Sequence, residues 1–352
     1  MKRNDSGIHC LKPMDRRAFL KKSGLLGLGV ASAAVVPLTA QAVSFNKRMV
    51  KVSQTRLAMG TFVSMTLIHP SKDQAEEGMA RAFQEIQRLE RLLSRYDSGT
   101  PVYRLNREGV LKDVAPEVGE VMKHSLHFHA ITHGYFDVTV KPAVDLFKEK
   151  DFEKKGRPTE LEIREVLNLI NARNIDYQGR MIRFKKEGMG VTFDGIAKGY
   201  IVDRAADVLS GHGIENYLIN AGGDIRTRGS KQGKQPWVVA VEDPEKKQKY
   251  PDMIQMRDGA VATSGNYEVY FDREKMFHHI VNPLTGVSPG WSVSVSIVAG
   301  STMEADALAT SVFIMNPREG IEFVNSLPHC SSLLVVKDGS LLKSSRWKSS
   351  TI

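Results

Sequence analysis

The order of strand and helix patterns is the feature that most constrains what this chain can fold into. Short apolar strand patterns and longer helix patterns follow one another irregularly, and do not form a repeated strand–helix–strand series. The sequence therefore predicts an α+β fold with mixed or antiparallel sheets and packed helices. Strands are predicted at 61–68, 136–140, 180–185, 191–194, 216–221, 237–242, 267–271 and 291–298. In the last of these, alternation predicts four inward-facing side chains: Trp291, Val293, Val295 and Ile297.

Capping motifs, prolines and glycines predict where the helices begin and end. Ser71 and Gln74 have the spacing of a capping box, in which a hydroxyl residue precedes the helix and Glu or Gln follows three residues later. Thr159 and Glu162 have the same spacing. Further helices are predicted at 116–134, 196–209 and 302–315. Near the end of the chain, Asp338-Gly339 predicts a hairpin turn.

The first 42 residues have the order of parts that is typical of a secretory signal. A basic stretch with Arg16-Arg17 precedes a mildly apolar run from Ser23 to Thr39, and the small residues Ala40-Gln41-Ala42 follow. The paired arginines followed by Phe-Leu-Lys indicate the twin-arginine route. The run is shorter than the ~20 residues of a membrane span, which favours a cleaved signal over a retained anchor. We predict a signal peptide over 1–42, a domain over 43–352, periplasmic localisation and no stable membrane span in the mature chain.

Removal of this segment changes the charge of the chain. Residues 1–42 carry seven Lys/Arg and two Asp/Glu, so their loss lowers the formal net charge from +9 to +4. Because that charge is modest and no basic patch with interleaved aromatic residues is present, a nucleic-acid partner is not expected. Cys10 leaves with the segment, and Cys330 then has no second cysteine with which to form an intramolecular disulfide.

Asp306 and Thr310 are the sharpest candidates for metal binding. They lie four residues apart in a helical run of small residues, EADALATSVF, so both oxygens fall on one helix face. A carboxylate and a hydroxyl so arranged suit Mg²⁺, which prefers oxygen ligands and also accepts phosphate oxygens. The alternative is that Asp306 caps its own helix and that Thr310 is an ordinary buried polar residue. The spacing alone favours this alternative.

Two segments are candidates for phosphate binding. Asp194–Tyr200 follows a strand pattern and opens a helix, so Lys198 lies near N–H groups that attract anions. A tight strand–helix turn explains this segment about equally well. Ala262–Gly265, which includes Thr263, resembles a second turn, with hydroxyls free to bind phosphate.

Two other segments are open to both a structural and a chemical interpretation. Asn220–Asp224 contains paired glycines, and a hairpin or bulge is the better interpretation for most of it. His278 and His279 precede an Asn-Pro turn, so a role in proton transfer and a structural role are about evenly balanced. The sequence contains no His/Cys cluster with zinc spacing and no Gly-x-Ser-x-Gly motif of serine hydrolases.

In combination and in this order, the motifs resemble the ApbE family, the FAD:protein FMN transferases. The resemblance extends from residue 59 to about residue 313. Its segments are Met59-Gly60-Thr61, Ser94–Asp97, Gly134–Val140, Gly195–Tyr200, NAGGDI, ATSGNYE, HHIVNPLTG and ADALAT. The resemblance implies an FAD cleft between two lobes, with FAD as a substrate and Mg²⁺ as the cofactor.

The resemblance also implies a role for each matching residue. Contacts with the flavin or the rest of FAD are expected from Met59, Tyr96, Tyr135, Phe136, Asp137, Lys198, Thr263 and His279. Asp306 and Thr310 are expected to bind Mg²⁺ through their side chains, and Gly195 through its backbone carbonyl. His279 matches the family's histidine near the reacting phosphate.

One segment departs from the pattern of the family. The family commonly has Asp-Leu-Gly-Gly before Ile-Ala-Lys, whereas this chain has Thr192-Phe193-Asp194-Gly195. The acidic residue is displaced by two positions. Asp194 is therefore a candidate FAD-binding residue whose contact the sequence leaves open.

The implied reaction is attack by a protein hydroxyl on the FMN-side phosphorus of FAD, with release of AMP. Mg²⁺ and Lys198 would neutralise the phosphate oxygens, and either His279 or Asp306 would accept the hydroxyl proton. Because a carboxylate bound to Mg²⁺ is a weak base, His279 is the favoured catalytic base. The implied acceptor is a Thr or Ser on an exported redox protein. The alternatives are hydrolysis of FAD to FMN and AMP, and a flavin carrier or chaperone without turnover.

Overall fold

The computed structural model describes residues 48–149, 157–231, 235–242, 244, 249–266 and 280–350, together with the backbone of 14–15 and 41–46. The strands are β1 (Met14–Asp15), β2 (Gln41–Asn46), β3 (Met49–Ala58), β4 (Thr61–His69), β5 (Val110–Lys112), β6 (Ile175–Gln178), β7 (Met181–Phe184), β8 (Tyr217–Ala221), β9 (Asp224–Arg228), β10 (Trp237–Ala240), β11 (Lys249–Tyr250), β12 (Met253–Met256), β13 (Gly259–Gly265), β14 (Ser292–Ala299), β15 (Ser331–Val336) and β16 (Leu341–Lys343). The helices are α1 (Lys72–Leu93), α2 (Pro101–Glu108), α3 (Pro116–Ile131), α4 (Lys141–Glu149), α5 (Glu160–Leu167), α6 (Ala197–Gly211), α7 (Thr302–Ile314) and α8 (Pro317–Ser326).

A nine-stranded antiparallel sheet forms the centre of the described part. Its strand order is β16-β15-β14-β13-β9-β8-β4-β3-β2. A smaller antiparallel sheet has the order β5-β7-β6. The remaining described strands form two pairs, β10-β12 and β1-β11. The predicted α+β class with antiparallel sheets and packed helices is confirmed.

The middle strands of the central sheet are buried on both faces. On β4, the fully buried Val63, Met65 and Leu67 join the main hydrophobic core, which also contains the apolar sides of α1, α6 and α7. Ile68, which points to the opposite face, packs in a second cluster with Trp237 of β10. The sheet therefore has a helical layer on one face and the β10-β12 pair on the other, which explains the nearly continuous apolar strands.

The predicted capping box is complete at Thr159, whereas at Ser71 only the N-cap bond forms, because the Ser71 N–H donates to His69 Nδ1 and not to the Gln74 side chain. The Ser71 hydroxyl accepts a hydrogen bond from the Gln74 N–H at 3.3 Å, and α1 begins at the next residue. At α5, Thr159 and Glu162 form both reciprocal bonds of the capping box. Helices α2 and α4 and strand β3 are present in the structure, although the sequence patterns did not predict them.

Two predicted strands are wrong, and in both a polar side chain supplies the competing hydrogen bonds. At 136–140, the Asp137 carboxylate accepts the Thr139 N–H at 2.8 Å, and Val138–Val140 forms a 3₁₀ turn. At 191–194, the backbone of Val191 pairs with the side-chain amide of Asn106, at 2.7 and 2.9 Å, in place of a neighbouring strand.

The predicted inward position of Trp291 is also wrong. Its side chain is 55% exposed and Val293 is half-buried, whereas Val295 and Ile297 are fully buried as predicted. The register with β15 shifts between Ser292 and Ser294, and this bulge breaks the alternation at the start of β14. The predicted strand at 267–271 lies outside the described residues.

The predicted signal segment overlaps β2. The backbone of Gln41 and Ala42 pairs with Ser53 and Val52 of β3, so the expected boundary after Ala42 falls inside a strand. Within the described residues, no helix has both the length and the apolar character needed to cross a membrane.

Candidate active site

A cleft of about 510 Å³ opens beside the C-terminal end of β13 and the N-terminus of α6. Phe193 and Ile201 of the main core form part of its wall, and Val144 and Val281 of a smaller cluster around α4 form another part. Every candidate residue that the structure describes lies on this wall: Met59, Tyr96, Tyr135, Phe136, Asp137, Asp194, Gly195, Lys198, Thr263, Asp306 and Thr310. His278 and His279 lie outside the described residues.

Asp306 does not cap its own helix, so the alternative interpretation of this residue as a helix cap is wrong. Helix α7 is capped by the Ser301 hydroxyl, and Asp203 accepts the N–H groups of Thr302 and Met303, each at 2.9 Å. Asp306 instead reaches across to α6, where its Oδ2 accepts the N–H of Gly199 at 3.0 Å. Asp306 therefore fixes the N-terminus of one helix against the first turns of another.

The approach of α6 to α7 depends on the absence of a side chain at Gly199. A Cβ built at this position would lie 2.8 Å from the Cα of Met303 and would also collide with the backbone carbonyl of Thr302. Only glycine permits this separation without moving a helix. The glycine therefore brings the Lys198 end of α6 and the Asp306 face of α7 to the same wall of the cleft.

The charges at this wall are unbalanced. Asp306 is only 6% exposed, and burial raises its pKa to about 6 although Lys198 and the Gly199 N–H act in the opposite direction. Asp224, which is 1% exposed, influences the titration of Asp306 and lies with its Oδ1 3.6 Å from the Lys198 ammonium. Two buried carboxylates beside one ammonium group favour an additional cation.

The residues expected to bind Mg²⁺ lie together. A Cβ at Gly195 would lie 3.0 Å from the Thr310 hydroxyl, so the backbone of the Gly195 turn lies against that side chain. Thr310 Oγ1 is 3.3 Å from the Ser264 hydroxyl. A carboxylate, hydroxyls and a backbone carbonyl form a set of hard oxygen donors that fits Mg²⁺. The described residues include no group of three His, Cys, Asp or Glu side chains that could hold a metal ion, so a metal at this wall would depend on hydroxyl and backbone oxygens beside Asp306.

The Asp137 carboxylate is occupied by the fold. It accepts the Thr139 N–H and hydroxyl at 2.8 and 2.5 Å, accepts the Ala172 N–H at 3.0 Å, and lies 3.1 Å from His129 Nδ1. The side chain therefore holds the Tyr135-Phe136-Asp137 corner in place on the wall of the cleft.

Asp194 also bonds within the protein. Its Oδ2 accepts the Tyr96 hydroxyl at 3.0 Å and the Arg95 Nε–H at 3.3 Å. Arg95 is held in turn by Asp145 at 3.0 Å, and its guanidinium lies 4.6 Å from the centre of the Tyr96 ring. Although Tyr96 is 62% exposed, partial desolvation and the charge of Asp194 raise its pKa to about 12, so the phenol stays protonated and donates to Asp194 at neutral pH.

The sequence model of the ApbE family matches residues 59–334, more than half of the chain. This chain belongs to the ApbE family. A Vibrio cholerae relative named FAD:protein FMN transferase is 34% identical over 233 residues, which cover 64% of this chain and 68% of the relative.

Solved structures of ApbE proteins agree with the assignment. The ApbE protein of Thermotoga maritima superposes with a TM-score of 0.76 at 30% identity, covering 84% of this chain and 97% of its own. The flavin transferase ApbE of Vibrio cholerae gives a TM-score of 0.72 at 27% identity, covering 87% of this chain and 98% of its own.

Two sequence-based expectations about the ApbE cleft need correction. Ala262–Gly265 is not a turn but the end of β13, and its hydroxyls are not free, because Thr263 bonds Ser296 at 2.7 Å and Ser264 bonds Thr310. The N-terminus of α6 is also partly occupied, since Asp306 accepts the Gly199 N–H and the Phe193 carbonyl accepts the Ala197 N–H. Within this segment, the Lys198 side chain is therefore a stronger candidate for phosphate binding than the backbone N–H groups.

Sequence reasoning missed three charged residues in or beside the ApbE cleft: Glu90, Arg95 and Asp224. Arg95 and Asp224 belong to segments that carry the family resemblance, so the family pattern could have indicated them. Glu90 lies within helix α1 and matches no motif, and only its tertiary contact identifies it.

Proposed function

We propose that this chain transfers the FMN half of FAD to a Thr or Ser hydroxyl of another protein with the help of Mg²⁺. Membership of a family of FAD:protein FMN transferases makes it an enzyme, with FAD as one substrate and a protein as the other. The acceptor oxygen forms a bond to the FMN-side phosphorus, the bond from that phosphorus to the bridging oxygen breaks, and AMP leaves with this oxygen. The hydroxyl proton passes to a base on the enzyme.

The single observation that carries this proposal is the meeting of Gly195, Lys198, Asp306 and Thr310 on one wall of the cleft. Asp306 and Thr310 would hold Mg²⁺ through their side chains and Gly195 through its carbonyl. When bound, Mg²⁺ neutralises phosphate oxygens during transfer. Lys198 adds a positive charge at the same wall, on the second residue of α6.

His279 is the proposed base. Asp306 would be bound to Mg²⁺, and a carboxylate bound to Mg²⁺ is a weak base; its Oδ2 also accepts the Gly199 N–H. The proposed acceptor is an exported redox protein. We also propose that residues 1–42 direct twin-arginine export and that residues 43–352 act in the periplasm.

The test is incubation of the purified enzyme with FAD, Mg²⁺ and a candidate acceptor protein. Transfer predicts stoichiometric AMP together with flavin fluorescence on the denatured acceptor band. Hydrolysis of FAD to FMN and AMP would yield AMP without a fluorescent band. Absence of AMP under all conditions would contradict both reactions and favour a flavin carrier.

A further inference from the structure

The turn between β3 and β4 has a backbone conformation that its residues do not favour. Met59 and Gly60 join the strands as a two-residue turn, with φ angles of 53° and 69°. Both central residues of such a turn must be left-handed, which suits Asn-Gly far better than a pair beginning with methionine. Some other contact must therefore stabilise Met59 in this conformation.

That contact comes from helix α1. The N–H of Met59 donates a hydrogen bond to Glu90 Oε1 at 2.9 Å, across 31 residues of sequence. Glu90 belongs to the last turn of α1, whose inner face is anchored by the fully buried Ile86 and Leu89. The carboxylate is thus presented by a rigid element, and it holds the turn at a fixed place against the end of the helix.

Met59, Gly60 and Glu90 all lie on the wall of the cleft. A carboxylate on this wall is unfavourable in itself, because the pyrophosphate of FAD is also negative. A neutral acceptor such as the Gln amide could make the same hydrogen bond without that charge. The turn therefore requires a hydrogen-bond acceptor at this position, and the Glu90 carboxylate supplies it.

We propose that Glu90 is a positioning residue for FAD, which acts by holding Met59 in the left-handed conformation that places this residue on the cleft wall. The proposal rests on the proposed function only in that FAD is the ligand of the cleft. Glu90 takes no part in the proton transfer or in metal binding. Its effect should appear in FAD affinity and not in the rate of the chemical step.

The test compares Glu90→Gln and Glu90→Ala in the full enzyme. The Gln amide oxygen can still accept the Met59 N–H, so Glu90→Gln should keep wild-type FAD affinity or bind more tightly. Glu90→Ala loses the acceptor, and its KM for FAD should rise ~10-fold with little change in kcat. Hydrogen exchange at the Met59 amide should be slow in wild type and Glu90→Gln and fast in Glu90→Ala, with or without FAD.

Glu77→Ala is the matched control, because Glu77 is an exposed residue of the same helix that forms an ion pair with Arg81 at 3.5 Å. It should leave both the KM and the Met59 exchange rate unchanged. A loss of kcat in both Glu90 variants would overturn the proposal in favour of a catalytic role. Unchanged KM and exchange in Glu90→Ala would overturn it as well. Failure of the wild type to produce AMP would contradict the proposed function alone, because the exchange measurement does not depend on turnover.

Discussion

Gly199 lies where helix α6 crosses helix α7, and replacing it with alanine tests whether this crossing supports the active site. A Cβ at this position would be 2.7 Å from the carbonyl carbon of Thr302 and closer still to its oxygen, whereas ordinary contacts begin at 3.4 Å, so the helices must separate by more than about 0.7 Å. The movement would also stretch the bond from the Gly199 N–H to Asp306.

The expected loss of stability follows from these contacts. Overpacking typically costs ~1–3 kcal/mol, and weakening one buried hydrogen bond adds ~1 kcal/mol. Alanine offsets ~0.5–1 kcal/mol of this loss through its higher helix propensity, so the net loss is about 1–3.5 kcal/mol. With an unfolding entropy of about 0.7 kcal/mol/K for 352 residues, the melting temperature should fall by about 1–5 °C.

Calorimetry of Gly199→Ala against wild type measures this shift, and a titration of FAD turnover with Mg²⁺ measures the effect on the site. We expect the Mg²⁺ requirement to increase, because the face of α7 that carries Asp306 moves away from α6. Gly211→Ala is the control, since Gly211 ends the same helix and a Cβ there meets nothing within 4 Å. A wild-type melting temperature for Gly199→Ala would refute the inferred crossing.

Other predictions concern the metal, the base and export. Asp306→Asn should fold as wild type, because the amide oxygen still accepts the Gly199 N–H, but it should lose Mg²⁺-dependent turnover. Full activity of this variant, or full activity of the wild type in EDTA, would contradict the metal site. His279→Ala should lower the rate of single-turnover transfer at saturating FAD and Mg²⁺ by a factor of ~10²–10⁴, while FAD binding changes little. His278→Ala is the control, and a near-normal rate for His279→Ala would leave Asp306 as the better base. Replacing Arg16 and Arg17 with lysines should retain the precursor in the cytoplasm, as cell fractionation would show, and normal export would indicate the general secretory route instead.

Local sequence patterns predicted helix ends and hairpin turns well. Ser71, Thr159 and Glu162 cap helices as expected, and α7 ends within one residue of its prediction. The paired glycines after Ala221 form the predicted hairpin, with β8 and β9 on either side. These features depend on residues within about four positions of each other, so the sequence contains all the information that they need.

The two strands predicted wrongly had apolar patterns that were typical of strands. At 136–140 the deciding group was local, the carboxylate of Asp137, but its further partner Ala172 lies 35 residues away. At 191–194 the deciding group was the side chain of Asn106, 85 residues earlier. Periodicity reports which side chains are buried, and it does not report where the backbone finds its hydrogen bonds.

By itself, the sequence determined the α+β class, the i, i+4 placement of Asp306 and Thr310 on one helix, and the motifs that resemble the ApbE family. Only the tertiary structure decided the partners of the site residues. Asp306 bonds Gly199 across 107 residues, Asp194 bonds Tyr96 across 98, and Glu90 bonds Met59 across 31. A buried polar group must bond whichever donor the packing places beside it, because water is excluded there. Since packing of distant segments selects that donor, no short stretch of sequence encodes the pairing.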